Sequence, residues 1–149
     1  MSLPGELAQV LAEDAEALAA LHDRELTAET LAVLREVGFP ANLGLLPAGE
    51  QSLEAWRLMA AALEETSAAD LDLLAADYAA IYLTGAYGAS PCESVWLDDD
   101  HLACQAPMFE LRKLYAEAGL AAMDWRKRPD DHLVLQLLFI ANVLRRSCG

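Results

Sequence analysis

One segment near the C-terminal end of the sequence is almost entirely apolar, and it reads Leu133-Val134-Leu135-Gln136-Leu137-Leu138-Phe139-Ile140-Ala141-Asn142-Val143-Leu144. Gln136 and Asn142 are its only polar residues. A helix that is hydrophobic on all sides belongs at the centre of a bundle rather than on its surface. The segment therefore predicts a central apolar helix in an all-α protein.

Five segments upstream of it have the spacing of amphipathic helices, because apolar residues recur at every third or fourth position. The predicted inward faces are, in chain order, Leu7, Val10, Leu11, Leu18 and Leu21; Leu31, Leu34 and Val37; Leu53, Trp56, Ala60 and Leu63; Leu71, Leu74, Tyr78, Ile81 and Tyr82; and Met108, Leu111, Tyr115 and Ala118. The candidate strand 94–97 is too short and runs into three aspartates, so no strand is predicted. We expect one all-helical domain over residues 1–149.

Capping and helix-breaking residues set the predicted helix boundaries. Thr27 is the expected N-cap of the second helix, and Gly38 ends that helix in the left-handed conformation. Ser67 ends the third helix or caps the fourth, while Pro107 marks the start of the fifth and Gly119 its C-cap. The helices are therefore bounded by local signals as well as by periodicity.

Length and charge limit the class of protein. A chain of 149 residues can bury about two thirds of its surface in a single core, which predicts one domain. The 24 acidic residues exceed the 10 basic ones and give a net charge of −14. This charge opposes binding to nucleic acid and favours a basic partner.

The cysteines and the N-terminal sequence predict the compartment. Cys92, Cys104 and Cys148 are odd in number and form no Cys-x-x-Cys pair, which predicts neither a disulfide framework nor a zinc site. Residues 1–6 lack the basic and apolar regions of a secretory signal, and no apolar run reaches the roughly 18 residues that a membrane span needs. We expect a soluble cytoplasmic protein without a membrane span.

Two acidic clusters, 98–101 and 130–132, are the sharpest polar features, and they read Asp-Asp-Asp-His and Asp-Asp-His. Carboxylates and imidazoles suit a divalent cation, but adjacent residues on a helix point about 100° apart and cannot all face one ion. The preferred interpretation is that Asp130 or Asp131 caps the apolar helix and that the first cluster is a solvated loop or turn cap. No metal ligand or catalytic residue is assigned. A metal-dependent hydrolase that uses both clusters is the first alternative function.

Three further features border these clusters. His132 falls in the first turn of the apolar helix, where the helix dipole should lower its pKa and keep the imidazole neutral. Trp96, Tyr82 and Tyr87 adjoin a loop rich in Gly and Ser, and periodicity favours core positions over the wall of a peptide groove. The basic run 126–128, Arg-Lys-Arg, is typical of a hydrated loop. Each feature therefore has a structural interpretation beside a functional one.

Two polar blocks, residues 90–98 and 128–133, and their neighbours resemble the TorD/DmsD/NarJ family of cytoplasmic redox-enzyme maturation chaperones. The matching elements are, in order, Asp77-Tyr78, a break at Gly85, Pro91-x-x-Ser94-Val95-Trp96, Tyr115 followed by Gly119-Leu120, and Pro129-x-Asp131-His132-Leu133. They cover roughly residues 70 to 144, and the leading helices fit more loosely.

The resemblance implies a helical bundle of the TorD-like type that acts as a chaperone without catalytic turnover and without a cofactor. Such a protein binds the twin-arginine leader of a molybdenum-cofactor enzyme and delays export until the cofactor is inserted, so the implied partners are the leader and the client apoprotein. By position, the peptide-binding residues are Ser94, Trp96, Pro129, Asp131 and His132. Asp131 is the expected arginine acceptor, His132 orients it, and Trp96 forms the groove wall. The acidic charge agrees, because guanidinium groups pair with carboxylates.

The sequence departs from the family pattern at two places. Arg128 stands where members usually carry Glu, which puts a positive charge where a cationic leader would approach. Members also commonly continue for further helices, whereas this sequence ends at Gly149 after Arg145-Arg146-Ser147-Cys148. A bundle without those helices would expose an apolar face, so a homodimer, formed in some relatives by helix exchange, is a further expectation. A helical assembly subunit without leader binding is the second alternative function.

Overall fold

The computed structural model describes residues 4–45 and 47–147, and within these ranges it contains seven α-helices and no strand. The helices are α1 (Gly5–Asp23), α2 (Ala28–Glu36), α3 (Glu50–Glu65), α4 (Leu71–Tyr78), α5 (Ser94–Leu97), α6 (Ala106–Glu117) and α7 (Leu133–Arg146). The predicted all-α fold is confirmed. Residues 1–3, Cys148 and Gly149, which are part of the expectations above, lie outside the described residues.

The predicted helix boundaries are largely confirmed. The Thr27 hydroxyl accepts a hydrogen bond from the amide of Thr30 at 3.1 Å, as an N-cap does. Gly38 and Gly119 both have φ of +72°, the left-handed conformation that a glycine adopts most easily after a helix. Pro107 lies in the first turn of α6. Local signals therefore identify where these helices start and stop.

The fourth predicted helix is a continuous helical segment whose pitch changes along its length. A 3₁₀ turn, Ala68–Asp70, leads into α4, and a π-helical turn, Ala79–Leu83, continues α4 beyond Tyr78. Ser67 and Asp70 form a capping box, in which the Ser67 amide donates to the Asp70 carboxylate at 2.7 Å. Ser67 therefore caps this segment, as one of the two predictions for it stated.

The principal helix pair joins α1 and α7, which pack more extensively than any other pair of described elements. The buried face of α1 consists of small residues, Ala8, Ala12, Ala15 and Ala19, and of Asp14. The prediction that the leucine stripe of this helix forms the buried face is wrong: Leu7 is exposed, and Val10, Leu11, Leu18 and Leu21 are half-buried. The small side chains of these alanines let the two helix backbones approach closely.

The central position predicted for the apolar helix is not confirmed. Val134 and Ala141 are its buried residues, while Leu138, Ile140 and Val143 remain 44–49% exposed. Among the described residues, α7 therefore buries one face against α1 and leaves another accessible. In the same residues, no helix is both long enough and apolar enough to cross a membrane.

The third helix lies outside the core. No residue of α3 is buried, and Leu53 of its predicted inward face is exposed, which corrects that prediction, whereas Trp56, Ala60 and Leu63 are half-buried. The helix is fixed at its C-terminal end by Arg35 of α2, which donates to the main-chain oxygens of Leu63 at 2.5 Å and Thr66 at 2.5 Å. A cation at this position satisfies carbonyl groups that have no partner within the helix.

Candidate functional site

Two loops that are far apart in the sequence are joined by main-chain hydrogen bonds. Cys92 and His132 form an isolated antiparallel bridge. Beside it, the Glu93 amide donates to the Asp131 oxygen at 3.1 Å, and the Leu133 amide donates to the Pro91 oxygen at 2.7 Å. The two polar blocks that carry the predicted peptide-binding residues therefore form one structural unit, which we call the paired loops (residues 90–94 and 129–133).

Asp131 connects these loops through its side chain. Its residue exposure is 0%, and its Oδ2 atom accepts a hydrogen bond from the Ser94 amide at 2.7 Å. Oδ1 is also buried and has no hydrogen-bond partner among the described residues. The prediction that Asp130 or Asp131 caps α7 is wrong, since Asp131 instead satisfies the first amide of α5, 37 positions earlier in the sequence.

The N-cap of α7 is His132, whose Nδ1 accepts a hydrogen bond from the Val134 amide at 3.1 Å. An acceptor nitrogen requires the neutral imidazole. Burial, reinforced by the nearby positive charge of Arg128, lowers the pKa of His132 to about 4, although the charges of Asp131 and Asp23 oppose this shift. The predicted direction of the shift agrees, but burial is its main cause rather than the helix dipole.

The stability of the fold should decrease when His132 is protonated. Because the pKa of about 4 lies below the ordinary value of 6.5, the unfolded chain binds this proton more tightly, and the stabilisation present above pH 6.5 is lost as the pH falls toward 4. Between pH 7 and pH 5 we expect the free energy of unfolding to fall by about 1–2 kcal/mol from this group. Urea denaturation at the two pH values measures the change.

The matched variant for this experiment is His132→Asn, because asparagine keeps an acceptor for the Val134 amide and does not titrate. Burial also lowers the pKa of His22, so the variant should retain the part of the decrease that comes from His22. An identical decrease in the parent chain and in the variant would show that His132 does not contribute.

Asp130 anchors the same loop to α6. Arg112 donates from both Nε and Nη2 to Asp130 Oδ2, at 3.1 and 2.7 Å, and the Tyr115 hydroxyl donates to the Asp130 main-chain oxygen at 2.9 Å. The guanidinium carbon of Arg112 lies 5.3 Å from the centre of the Phe109 ring and 4.9 Å from that of the Trp125 ring. Sequence reasoning missed Arg112, because no local signal links it to a loop 18 positions later.

The first acidic cluster is an exposed turn. Asp98 Oδ2 accepts hydrogen bonds from the amides of Asp100 and Leu102, both at 3.2 Å, and His101 Nδ1 lies 2.9 Å from the main-chain oxygen of Val95. This confirms the loop interpretation of residues 98–101. Over residues 4–45 and 47–147, no group of three His, Cys, Asp or Glu side chains could hold a metal ion, so the hydrolase alternative gains no support.

Trp96 is 60% exposed, so the prediction that it is a core residue is wrong. Its indole nitrogen donates to the main-chain oxygen of Ser90 at 2.9 Å, which fixes the ring beside the paired loops. Tyr87 is also exposed, and Tyr82 is half-buried. The ring of Trp96 is therefore available to a ligand, as the groove-wall interpretation requires.

Arg128 is not part of a hydrated loop, which corrects the interpretation of the basic run. Its Nη1 atom forms an ion pair with Asp23 Oδ1 at 2.5 Å, and its Nη2 donates to the main-chain oxygen of Asp23 at 3.3 Å. The neighbouring Arg126 lies over the Trp125 ring, 5.3 Å from its centre. Arg128 thus connects the loop before Pro129 to the C-terminal end of α1, 105 positions away.

Two cavities include Arg128 in their linings. The larger, which we call the α7 groove, has a volume of about 570 Å³, and its apolar lining includes Tyr115, Leu120, Leu135, Leu138 and Phe139. The smaller, which we call the tyrosine cavity, has a volume of about 260 Å³, and its lining includes Tyr78, Tyr82, Pro91, Cys92, Pro129 and His132. Lys127 and Arg128 line both cavities. The paired loops therefore border the tyrosine cavity, whereas the α7 groove is lined by residues of α6, α7 and the segment 120–128.

Comparison with known proteins gives consistent matches. Residues 47–148 match the family model described as nitrate reductase delta subunit. A protein named chaperone protein TorD from Vibrio parahaemolyticus is 33% identical over 111 residues, which are 74% of this chain and 49% of that protein. A protein of the same name from Photobacterium profundum is 30% identical over 71% of this chain and 49% of its own length. Another, from Vibrio atlanticus, is 28% identical over 87% of this chain and 62% of its own length. The chain spans about half the length of the first two relatives. No solved structure matches the chain significantly.

Proposed function

Because this chain belongs to the nitrate reductase delta subunit family, which includes the TorD chaperones, we propose that it is a maturation chaperone of the cytoplasm. It binds the twin-arginine leader of a molybdenum-cofactor oxidoreductase before export and has no catalytic turnover of its own. The relatives that it matches are named chaperones, which supports this role over that of an enzyme. The client apoprotein and its leader are the proposed partners.

The observation that carries the proposal is the α7 groove, which shares Lys127 and Arg128 with the tyrosine cavity that the paired loops border. A twin-arginine leader has two arginines followed by an apolar stretch, so its receptor needs a hydrophobic groove close to acidic groups. The groove supplies apolar side chains from α6, α7 and the segment after Gly119. The net charge of −14 supplies long-range attraction for a cationic peptide.

The proposed peptide-binding residues fall into two groups. Trp96 is exposed, and Pro129 and His132 line the tyrosine cavity, although His132 is itself only 9% exposed, so a ligand could contact these three. Ser94 and Asp131 are fully buried, so their contribution is to hold the paired loops in position. A leader arginine could reach Asp131 directly only if the two loops separated.

Isothermal titration calorimetry with two synthetic leader peptides tests the function. The first peptide carries the Arg-Arg pair and the second carries Lys-Lys, with all other residues unchanged. We expect at least about ten-fold weaker binding of the Lys-Lys peptide, because lysine cannot form the bidentate contact that arginine makes with a carboxylate. Equal affinity for both peptides, or no binding of either, would contradict leader recognition.

The formation of a homodimer is also a proposal. The exposed side of α7 that carries Ile140 and Val143 is a surface on which the predicted homodimer could form. The same surface would serve a helical assembly subunit, but a subunit without leader binding would not distinguish the two peptides. The calorimetric comparison therefore separates the chaperone from that alternative.

A further inference from the structure

The C-terminal end of α1 presents two kinds of oxygen atom to one guanidinium group. Arg128 contacts both the carboxylate and the main-chain oxygen of Asp23, at 2.5 and 3.3 Å. The same main-chain oxygen accepts a hydrogen bond from the Tyr78 hydroxyl at 2.9 Å. A helix C-terminus carries carbonyl groups without intrahelical partners and the negative end of the helix dipole, so this arrangement favours a cation.

This guanidinium site is accessible from solvent. The side chains of Arg128 and Asp23 are 33% and 26% exposed. Partial burial opposes the ionisation of Asp23, but hydrogen bonds from Arg128 and Arg24 outweigh it and hold the pKa of Asp23 below its ordinary value. Because ion pairs with this degree of exposure contribute little to stability, another guanidinium group could replace that of Arg128.

Arg128 also lines both the α7 groove and the tyrosine cavity. The proline that follows restricts the backbone of Arg128, so the side chain has more freedom to move than the main chain. Movement of this one side chain would change the boundary of both cavities. A peptide in the α7 groove would therefore contact Arg128, the residue that pairs with Asp23.

We propose that Asp23 and the end of α1 bind an arginine side chain of the leader, and that Arg128 fills this site in the free protein. This inference rests on the leader-binding function proposed above. The leader arginine takes over the two contacts with Asp23, and Arg128 moves out toward solvent. Only molecules in which Arg128 has left Asp23 can bind the leader arginine. The apparent dissociation constant is therefore the intrinsic one divided by the fraction of molecules in that state.

Titration of the Arg-Arg leader peptide into the parent chain and three variants tests the Asp23 site. Arg128→Gln should bind the leader about five-fold more tightly, because its internal competitor is gone. Arg126→Gln is the matched control, since it removes the same charge from the same loop at a residue that lies over Trp125, and it should change the affinity by less than about two-fold. Adding Asp23→Asn to Arg128→Gln should remove the gain.

Two further measurements keep the outcome unambiguous. Thermal melts by circular dichroism establish that each variant is folded, and Arg128→Lys replaces Arg128→Gln if the latter is not. Lysine keeps the charge but makes a weaker contact with the two oxygens, so a smaller gain, about two-fold, is expected. If the parent binds the leader and neither substitution at position 128 increases its affinity beyond that of Arg126→Gln, the Asp23 site is refuted while leader binding stands. If no protein binds the leader, the proposed function itself fails.

Discussion

Asp131→Ala should lower the free energy of unfolding by about 3 kcal/mol. The substitution removes the acceptor of the Ser94 amide in a fully buried position and leaves that amide without a partner. It also leaves a small cavity between the two halves of the paired loops. Urea denaturation followed by circular dichroism measures the change.

Asp131→Asn is the matched control, because it keeps the size of the side chain and an oxygen that can accept from Ser94. We expect it to lie within about 1 kcal/mol of the parent chain. Similar losses in both variants would show that the hydrogen bond to Ser94 is not the reason for the effect. Because Asp131→Ala is expected to be less stable, its affinity for the leader peptide must be measured at a temperature where the variant is folded.

Ala12→Leu should destabilise the protein by about 2–3 kcal/mol. Ala12 is fully buried and forms the core cluster between α1 and α7 with Ala15 and Ala141. A leucine in this position adds three carbon atoms where the helices are in close contact, so the helices must separate or strain their side chains. The same unfolding experiment measures the loss.

Ala20→Leu is the control for this prediction. Ala20 lies on the same helix but is exposed, so the same change of side chain should alter the free energy of unfolding by less than about 0.5 kcal/mol. An equally small effect of Ala12→Leu would mean that α1 and α7 pack less closely than the structure indicates.

Much of the secondary structure could be predicted from the sequence, because helix ends depend on nearby residues. Thr27, Gly38 and Gly119 act within one turn of the helix that each one bounds. The identity of the buried face could not be predicted as well. The periodicity of α1 predicts that its large apolar residues are buried. Its buried residues are instead mainly alanines, and their burial depends on α7, which is distant in the sequence.

The candidate site shows the same division between local and long-range information. The motifs that carry the family resemblance predict a binding site in both polar blocks, and the structure brings these blocks together. Local capping rules assigned the aspartates to α7, but His132 caps that helix, and Asp131 bonds to Ser94. Nothing in the local sequence around Asp23 indicated its contact with Arg128, because that pairing exists only after the chain has folded.

The pairing of α1 with α7 has a consequence for the order of events during synthesis. The first of these helices leaves the ribosome more than a hundred residues before the second, so its alanine face has no partner while the intervening chain is made. Contacts between segments so far apart require closure of a long loop and form late. The nascent chain therefore passes through a period in which its main helical contact is absent, and during that time it is itself open to aggregation.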